Sequence, residues 1–268
     1  MIRDITIGQY FPGESPVHRL DPRTKILLVF AYIVLLFVAS SPYSLLAGAV
    51  FAMVCYLVSR IPPRMILKSV RPMVPIVLFT AVLNMLFIQG DVLWEWWFIR
   101  ITREGLRTAV FMAVRIIFLL VGSSLLTYTT SPIALTDGIE RLLSPLKRLG
   151  VPVHELAMMM TIALRFIPTL IEETDKIMSA QKARGADLES GGIIQRAKAL
   201  IPILIPLFVS SFRRADELAL AMVCRCYRGG EGRTRMKQLK LGTGDFVAAA
   251  LMTGLFAAVL WLNIHCGF

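Results

Sequence analysis

Acidic residues are scarce in this chain: 18 Asp and Glu stand against 29 Lys and Arg, a formal net charge of +11. Cysteine and histidine are scarcer still, at four and three. Cys224 and Cys226 form a CxC pair, not the CxxC spacing of zinc or redox pairs. No second Cys or His pair lies near it, so neither a metal centre nor a disulfide framework is expected. Cys55 sits in an apolar run and reads as a small hydrophobe, and His18, His154 and His265 are scattered. The sequence also lacks a GxxxxGK[ST] phosphate loop, HExxH, GxSxG and DxDxDG, which removes nucleotide binding through that loop and the chemistry those motifs carry. No catalytic constellation is visible. The expectation is a chain that is not an enzyme and binds no cofactor of its own. The first 25 residues are polar with scattered charges and lack an apolar h-region, so they do not read as a signal peptide.

What the chain does have is apolar residues, at 56%, against about 45–50% for average soluble chains even with Gly counted. The mean hydropathy is +0.67. That excludes a disordered chain and disfavours an ordinary soluble enzyme. A basic, apolar protein is either an integral membrane protein with basic cytoplasmic parts or a nucleic-acid binder, and the positions of the charges decide.

Five apolar runs stand out, at residues 26–39, 45–58, 73–88, 109–128 and 246–264. Their uncharged cores are near the roughly 20 residues a helix needs to cross a bilayer, and Arg115 alone interrupts the fourth. No period-2 alternation points to a barrel, so the spans are expected to be helices. With the N-terminus inside, the turn at 40–43 faces out without Lys or Arg. The link at 59–72 faces in with Arg60, Arg64, Lys68 and Arg71. The loop at 90–105 faces out and carries Trp94, Trp96 and Trp97, suited to an interfacial aromatic belt. The C-terminus ends outside. The positive-inside rule holds at every link.

Residues 130–242 differ, holding 17 of the 29 basic residues. Three amphipathic helices are expected here. The first starts at Ser131-Pro132, with Ser at the N-cap and Pro in the first turn, and stops at Gly150. The second runs from Pro152 towards Arg184, bends at Pro168 and ends at Gly185. The third runs from about Ile193 to Arg225, bends near Pro202 and Pro206, and ends at Gly229-Gly230. The resulting fold class is an all-α integral membrane protein with about five transmembrane helices and a cytoplasmic platform of three long amphipathic helices. Its expected parts are residues 1–129 (an N-terminal segment and four spans), 130–242 (the platform) and 243–268 (the last span). At the ends of the second and third platform helices, Arg184 and Arg225 sit before polar loops. A guanidinium so placed complements the helix macrodipole and can also donate two hydrogen bonds to a carboxylate of a partner.

Four stretches, in order along the chain, carry a resemblance: Leu20-Asp-Pro-Arg-Thr-Lys25, Arg165-Phe-Ile-Pro168, Ala180-Gln-Lys-Ala-Arg-Gly185 and Ala221-Met-Val-Cys-Arg-Cys-Tyr-Arg-Gly-Gly230. With this topology the chain resembles the transmembrane (T) components of energy-coupling factor transporters, a branch of the ABC transporters that imports vitamins and metal ions into prokaryotic cells. The resemblance implies a multi-pass cell-membrane subunit without catalysis. It implies two partner ATPases, which use the ATP and Mg, and one or more membrane S components that bind the substrate. It implies that Ala183, Arg184 and Gly185 dock one ATPase and that Cys224, Arg225 and Cys226 dock the other. The second motif departs from the Ala-Arg-Gly pattern, with Cys224 in place of Ala and Cys226 in place of Gly. The platform for the S component is assigned to Met158, Met159, Met160, Leu164, Pro202 and Pro206. The Met-rich stretch suits an adaptable surface.

A permease or membrane enzyme acting alone would need convergent polar groups at mid-membrane depth, where only Arg115 and Asn84 qualify. A nucleic-acid binder would need a clustered basic face with stacking aromatics, whereas the basic residues here are spread over three helices.

Overall fold

A computed structural model describes residues 10–88, 91–96, 99–186, 192–229 and 239–265. In chain order these form α1 (Pro22–Val38), α2 (Pro42–Ser59), α3 (Pro63–Val70), α4 (Val74–Phe87), β1 (Val92–Trp96), β2 (Ile99–Thr102), α5 (Arg103–Thr129), α6 (Pro132–Leu143), α7 (Val153–Ala183), α8 (Ile193–Cys224) and α9 (Thr243–His265). The protein is an all-α membrane protein. Its one sheet element among the described residues is the antiparallel ribbon β1–β2, with Glu95 opposite Arg100 and Trp96 opposite Ile99. Trp97, Gly230, Cys266 and the C-terminal Phe268 lie outside the described residues.

Five stretches are long and apolar enough to cross a membrane: Pro42–Ser59, Pro63–Phe87, Arg103–Thr129, Val153–Ala183 and Thr243–His265. Two features differ from the sequence reading. α1 has 17 residues and is not among the five, while α7, read as part of the platform, is. The link at 59–72 is also not a plain loop. Pro63 in the first turn and Lys68 in the last turn allow α3 to form there, and a 3-10 turn at Arg71–Met73 joins it to α4.

The helix starts follow local chemistry. Asp21 caps α1 by accepting from the Arg23 backbone N–H at 2.9 Å, with Pro22 in the first turn. Ser41 and Ser44 form a reciprocal capping box at α2. Thr102 caps α5 by accepting from the Gly105 N–H at 3.1 Å.

The chain divides into two compact units. The first gathers Gln9–Gly138 with Gln238–Phe268, the second contains Ile139–Lys237, and the division falls within α6. The core of the first unit is built on Tyr32, Leu35, Leu36, Leu45, Ala52, Tyr56, Val121, Met252 and Val259, drawn from α1, α2, α5 and α9. Lipid tails are as apolar as Leu, so close packing rather than escape from water holds such helices together, and small residues at contacts permit it. A Cβ on Gly122 would stand 2.2 Å from the Tyr32 ring, and one on Gly48 would stand 2.8 Å from Leu36. The outward faces of α2, α4 and α9 leave Leu46, Val50, Leu57, Phe79, Phe87, Leu251 and Ile264 exposed, as lipid contact requires.

The Leu20–Lys25 stretch proves to be a structural node of the first unit. The Asp21 backbone N–H donates to Asp245 Oδ1 at 2.9 Å, and Asp245 Oδ2 accepts from the Gly242 N–H at 2.8 Å. The Lys25 ammonium donates to the carbonyls of His18 and Thr129 at 3.0 and 2.9 Å. Arg23 donates to the Leu239 carbonyl at 3.0 Å. One short motif thereby ties the start of α1 to the end of α5 and the start of α9. Beside it, the His18 ring lies between the Ser15 hydroxyl and the Phe11 carbonyl, and burial pushes its pKa below the usual value.

The second unit contrasts with this core. Its buried apolar side chains among the described residues are Val153, Ala157 and Ile203. α6 has 12 residues and a 3-10 turn follows it, whereas α7 and α8 have 31 and 32. Gly150, at φ +82°, ends the 3-10 turn before α7 starts. His154 Nδ1 lies 3.2 Å from Glu140 Oε1, which positions the start of α7 against the end of α6.

Candidate functional site

α7 and α8 end in the same way, bond for bond. At the end of α7, the Arg184 N–H points at the Ala180 and Gln181 carbonyls (3.2 and 3.1 Å), the Gly185 N–H at Lys182 (3.0 Å) and the Ala186 N–H at Gln181 (3.0 Å). At the end of α8, the Arg225 N–H points at the Ala221 and Met222 carbonyls (3.2 and 3.1 Å), the Cys226 N–H at Val223 (2.9 Å) and the Tyr227 N–H at Met222 (3.0 Å). This paired 6→1 and 5→2 pattern is the Schellman motif, which needs a left-handed residue just past the helix. Gly185 supplies it with φ +87° and Cys226 with φ +56°. The difference is physical. L-residues tolerate only a narrow left-handed well near +50 to +70°, and Cys226 sits in it, whereas Gly185 lies outside it, where only glycine is at ease. The backbone of the Ala-Arg-Gly motif therefore survives in Cys-Arg-Cys at the cost of a Cβ in the αL region.

Arg184 has φ −84° and ψ 5°, and Arg225 has φ −91° and ψ 14°. Both side chains are exposed, as are Ala183, Gly185, Cys224 and Cys226. Among the described residues no ion pair or hydrogen bond holds either guanidinium. Each is a cation fixed at its root by a rigid cap and free at its head to meet an anionic group.

The two ends lie at opposite ends of an antiparallel helix pair. The Tyr227 hydroxyl donates to Met158 Sδ at 3.0 Å. The Arg214 guanidinium donates to Glu173 Oε2 at 2.7 Å, and the Ser210 hydroxyl donates to Glu173 Oε1. The Gln181 amide donates to the Pro202 carbonyl at 3.4 Å. As residue numbers rise along α7 they fall along α8, so Arg184 and Arg225 are held well apart.

The residues assigned to a platform divide. Met159 and Met160 are 57% and 45% exposed, and Pro202 and Pro206 are exposed on α8. Met158 and Leu164 are half-buried, and Met158 is spent on Tyr227. The larger apolar surface is one that sequence reasoning passed over. Leu200, Leu204, Phe208 and Phe212, with Ile201, Ile205 and Val209, are all exposed along α8. Their i, i+4 spacing was the signal that could have found them. Glu173, Ser210 and Arg214 were also passed over, because no spacing within one helix reveals a pair between two.

The polar groups that a self-sufficient permease would need are used elsewhere. Arg115 donates to the Ala39 carbonyl at the end of α1 and lies 4.7 Å from the Phe111 ring centroid. The Asn84 side chain donates to Thr80 within its own helix at 2.9 Å. Among the described residues no group of three or more His, Cys, Asp or Glu is placed to hold a metal.

Comparison with known proteins finds relatives along nearly the whole chain. A family described as cobalt transport protein, CbiQ, matches residues 13–236. The energy-coupling factor transporter transmembrane protein EcfT of Acidaminococcus fermentans is 57% identical over 265 residues, 98% of each chain. The protein of the same name from Clostridium kluyveri is 61% identical over 252 residues, 93% of each chain. That of Lactococcus lactis is 45% identical over 267 residues, covering 98% of this chain and 100% of its own. With this coverage and identity, the chain belongs to the family of energy-coupling factor transporter transmembrane proteins.

Proposed function

We propose that this chain is the scaffold and coupling subunit of an ATP-driven importer in the prokaryotic cell membrane. Residues 130–242 form its cytoplasmic coupling domain, with the N-terminus inside and the C-terminus outside. The single observation that carries the reading is the pair of matching helix ends, each presenting an exposed arginine on a rigid cap. Two sites of one geometry suit two copies, or two close relatives, of one kind of partner. Those partners are two ATPase subunits, docked through Ala183-Arg184-Gly185 and Cys224-Arg225-Cys226. The ATPases bind ATP and Mg and carry out hydrolysis, while this chain supplies no catalytic group. When they close, they pull on the two arginines, and α7 and α8 shift. The exposed apolar strip of α8, from Leu200 to Phe212, moves against a membrane-embedded S component, and Met159 and Met160 of α7 stand exposed nearer the Arg225 end of the pair. That component then releases a vitamin or metal ion inside the cell.

The test is charge reversal at both ends. Arg184→Glu with Arg225→Glu should abolish co-purification with the ATPases and leave membrane insertion intact, because neither side chain holds the fold. A double variant that still co-purifies at wild-type yield refutes the assignment.

A further inference from the structure

The Glu173 carboxylate has both oxygens engaged by α8: Ser210 donates to Oε1 and Arg214 to Oε2. Ser210 and Arg214 are four residues apart, so they lie on one face of α8, one turn apart. A carboxylate that bridges two successive turns senses sliding along the helix axis. A slip of one turn, about 5.4 Å, would break both bonds at once. The side chains of Arg214 and Glu173 are 37% and 22% exposed. Ion pairs this open to solvent contribute little to stability, so register, rather than stability, is what the arrangement secures.

Its position is the second observation. Glu173 lies 11 residues before Arg184, and Arg214 lies 11 residues before Arg225. In an antiparallel pair this puts the cluster midway between the two arginines, with an arm of about 16 Å to each at 1.5 Å per residue. The third observation is where proline falls. Pro168 in α7 and Pro202 and Pro206 in α8 all precede the cluster in their own helices. Each removes a backbone hydrogen bond and softens its helix. From the cluster to each arginine the helix contains no proline. Each helix thus has a soft half before the cluster and a stiff arm after it, and each stiff arm ends in a docking arginine.

We propose that Glu173, Ser210 and Arg214 form the pivot of the α7–α8 pair, a set of positioning residues that keeps the two stiff arms in register while their ends are pulled. This deepens the coupling role proposed above and rests on it where transport is concerned. Without the pivot the helices slide past one another when the ATPases close, and motion at the arginines no longer reaches the apolar strip. The chain still docks and the ATPases still turn over, but hydrolysis is uncoupled from uptake.

Two measurements test this. In the first, the transporter is assembled in liposomes with both ATPases and an S component, and substrate taken up per ATP hydrolysed is recorded. Arg214→Glu is expected to co-purify with the ATPases and to lose at least about tenfold in this ratio. Glu173→Arg combined with Arg214→Glu is expected to recover it to within about threefold of wild type. An unchanged ratio in Arg214→Glu, or a swap no better than the single variant, overturns the pivot. Should Arg214→Glu not fold, Glu173→Gln keeps the shape and the Ser210 bond while losing the charge, and a wild-type ratio there overturns the proposal equally.

The second measurement needs no partner. Nitroxide labels are placed at Ala180 and Ala221, four residues before each arginine, in the full chain with its native cysteines replaced. Their spacing along the pair is about 21 Å at 1.5 Å per residue. Wild-type pairing predicts one narrow distance distribution. Arg214→Glu should at least double its width, and the charge swap should narrow it again. Equal widths in all three overturn the pivot whether or not the chain binds ATPases. Failure of the wild-type chain to bind ATPases sinks the coupling role but leaves the distance result standing.

Discussion

The two units of this chain spend their polar residues in opposite ways. In the first, several charged groups face inward and are consumed by backbone. Lys25 is occupied by two carbonyls, Asp245 by two N–H groups, and Arg115 by the end of α1. In the second, few side chains are buried, and Arg184 and Arg225 stand exposed on caps made of backbone alone. Charge in the first unit is structural material. In the second, Glu173 and Arg214 pair between α7 and α8, while Arg184 and Arg225 are left available at the helix ends.

The contrast can be broken from either side, and the largest effect is expected in the first unit. Gly122→Leu forces a side chain into space where even a Cβ would stand 2.2 Å from the Tyr32 ring. Overpacking of this kind should cost about 3 kcal/mol, read as loss of folded, monodisperse protein after extraction in detergent. Next comes Asp245→Ala, which strips the buried Asp21 N–H of its acceptor. A loss of about 2 kcal/mol is expected for a charge-assisted bond of this kind, seen as a lower melting temperature in detergent.

Smaller effects should appear at the helix ends, and with opposite sign. Gly185→Ala places a Cβ at φ +87° and should loosen the last turn of α7 by about 1–2 kcal/mol. Cys226→Gly removes a Cβ from the left-handed region and should tighten the last turn of α8 by about 0.5 kcal/mol, since glycine's greater freedom when unfolded offsets part of the relief. Amide hydrogen exchange over 180–186 and 221–227 measures both. If the two variants shift exchange in the same direction, the two caps are not equivalent in the way their hydrogen bonds indicate.

Much of this was legible beforehand, for identifiable reasons. Four of the five membrane-length stretches came from long uncharged runs, which only a bilayer or a large core rewards, while α7 was missed because charged residues punctuate it. The ends of α7 and α8 came from Gly185, from prolines and from arginines near helix termini, all of them local signals. That Cys226 stands in the place of Gly185 came with the resemblance, but its left-handed backbone was not legible, because cysteine carries no turn signal and only the dihedral reveals the shared cap. The helix within 59–72 was masked by the four basic residues of that stretch, which read as a topological link. The role of Leu20–Lys25 was hidden because its partners, Thr129, Leu239 and Asp245, lie more than 100 residues away. The Glu173–Arg214 pair was hidden for the same reason, being a product of how two helices meet.

The central claim is that Arg184 and Arg225 are two equivalent docking points and nothing else in the fold. The most direct measurement is the number of ATPase subunits bound per chain without ATP, read from the mass of the intact complex, together with the melting temperature of each variant. Two subunits are predicted for wild type, one for Arg184→Glu or Arg225→Glu alone and none for the double variant, with stability unchanged within about 0.5 kcal/mol, as for other exposed positions. Two subunits on the double variant, or a collapse of stability when either arginine is reversed, would contradict the account.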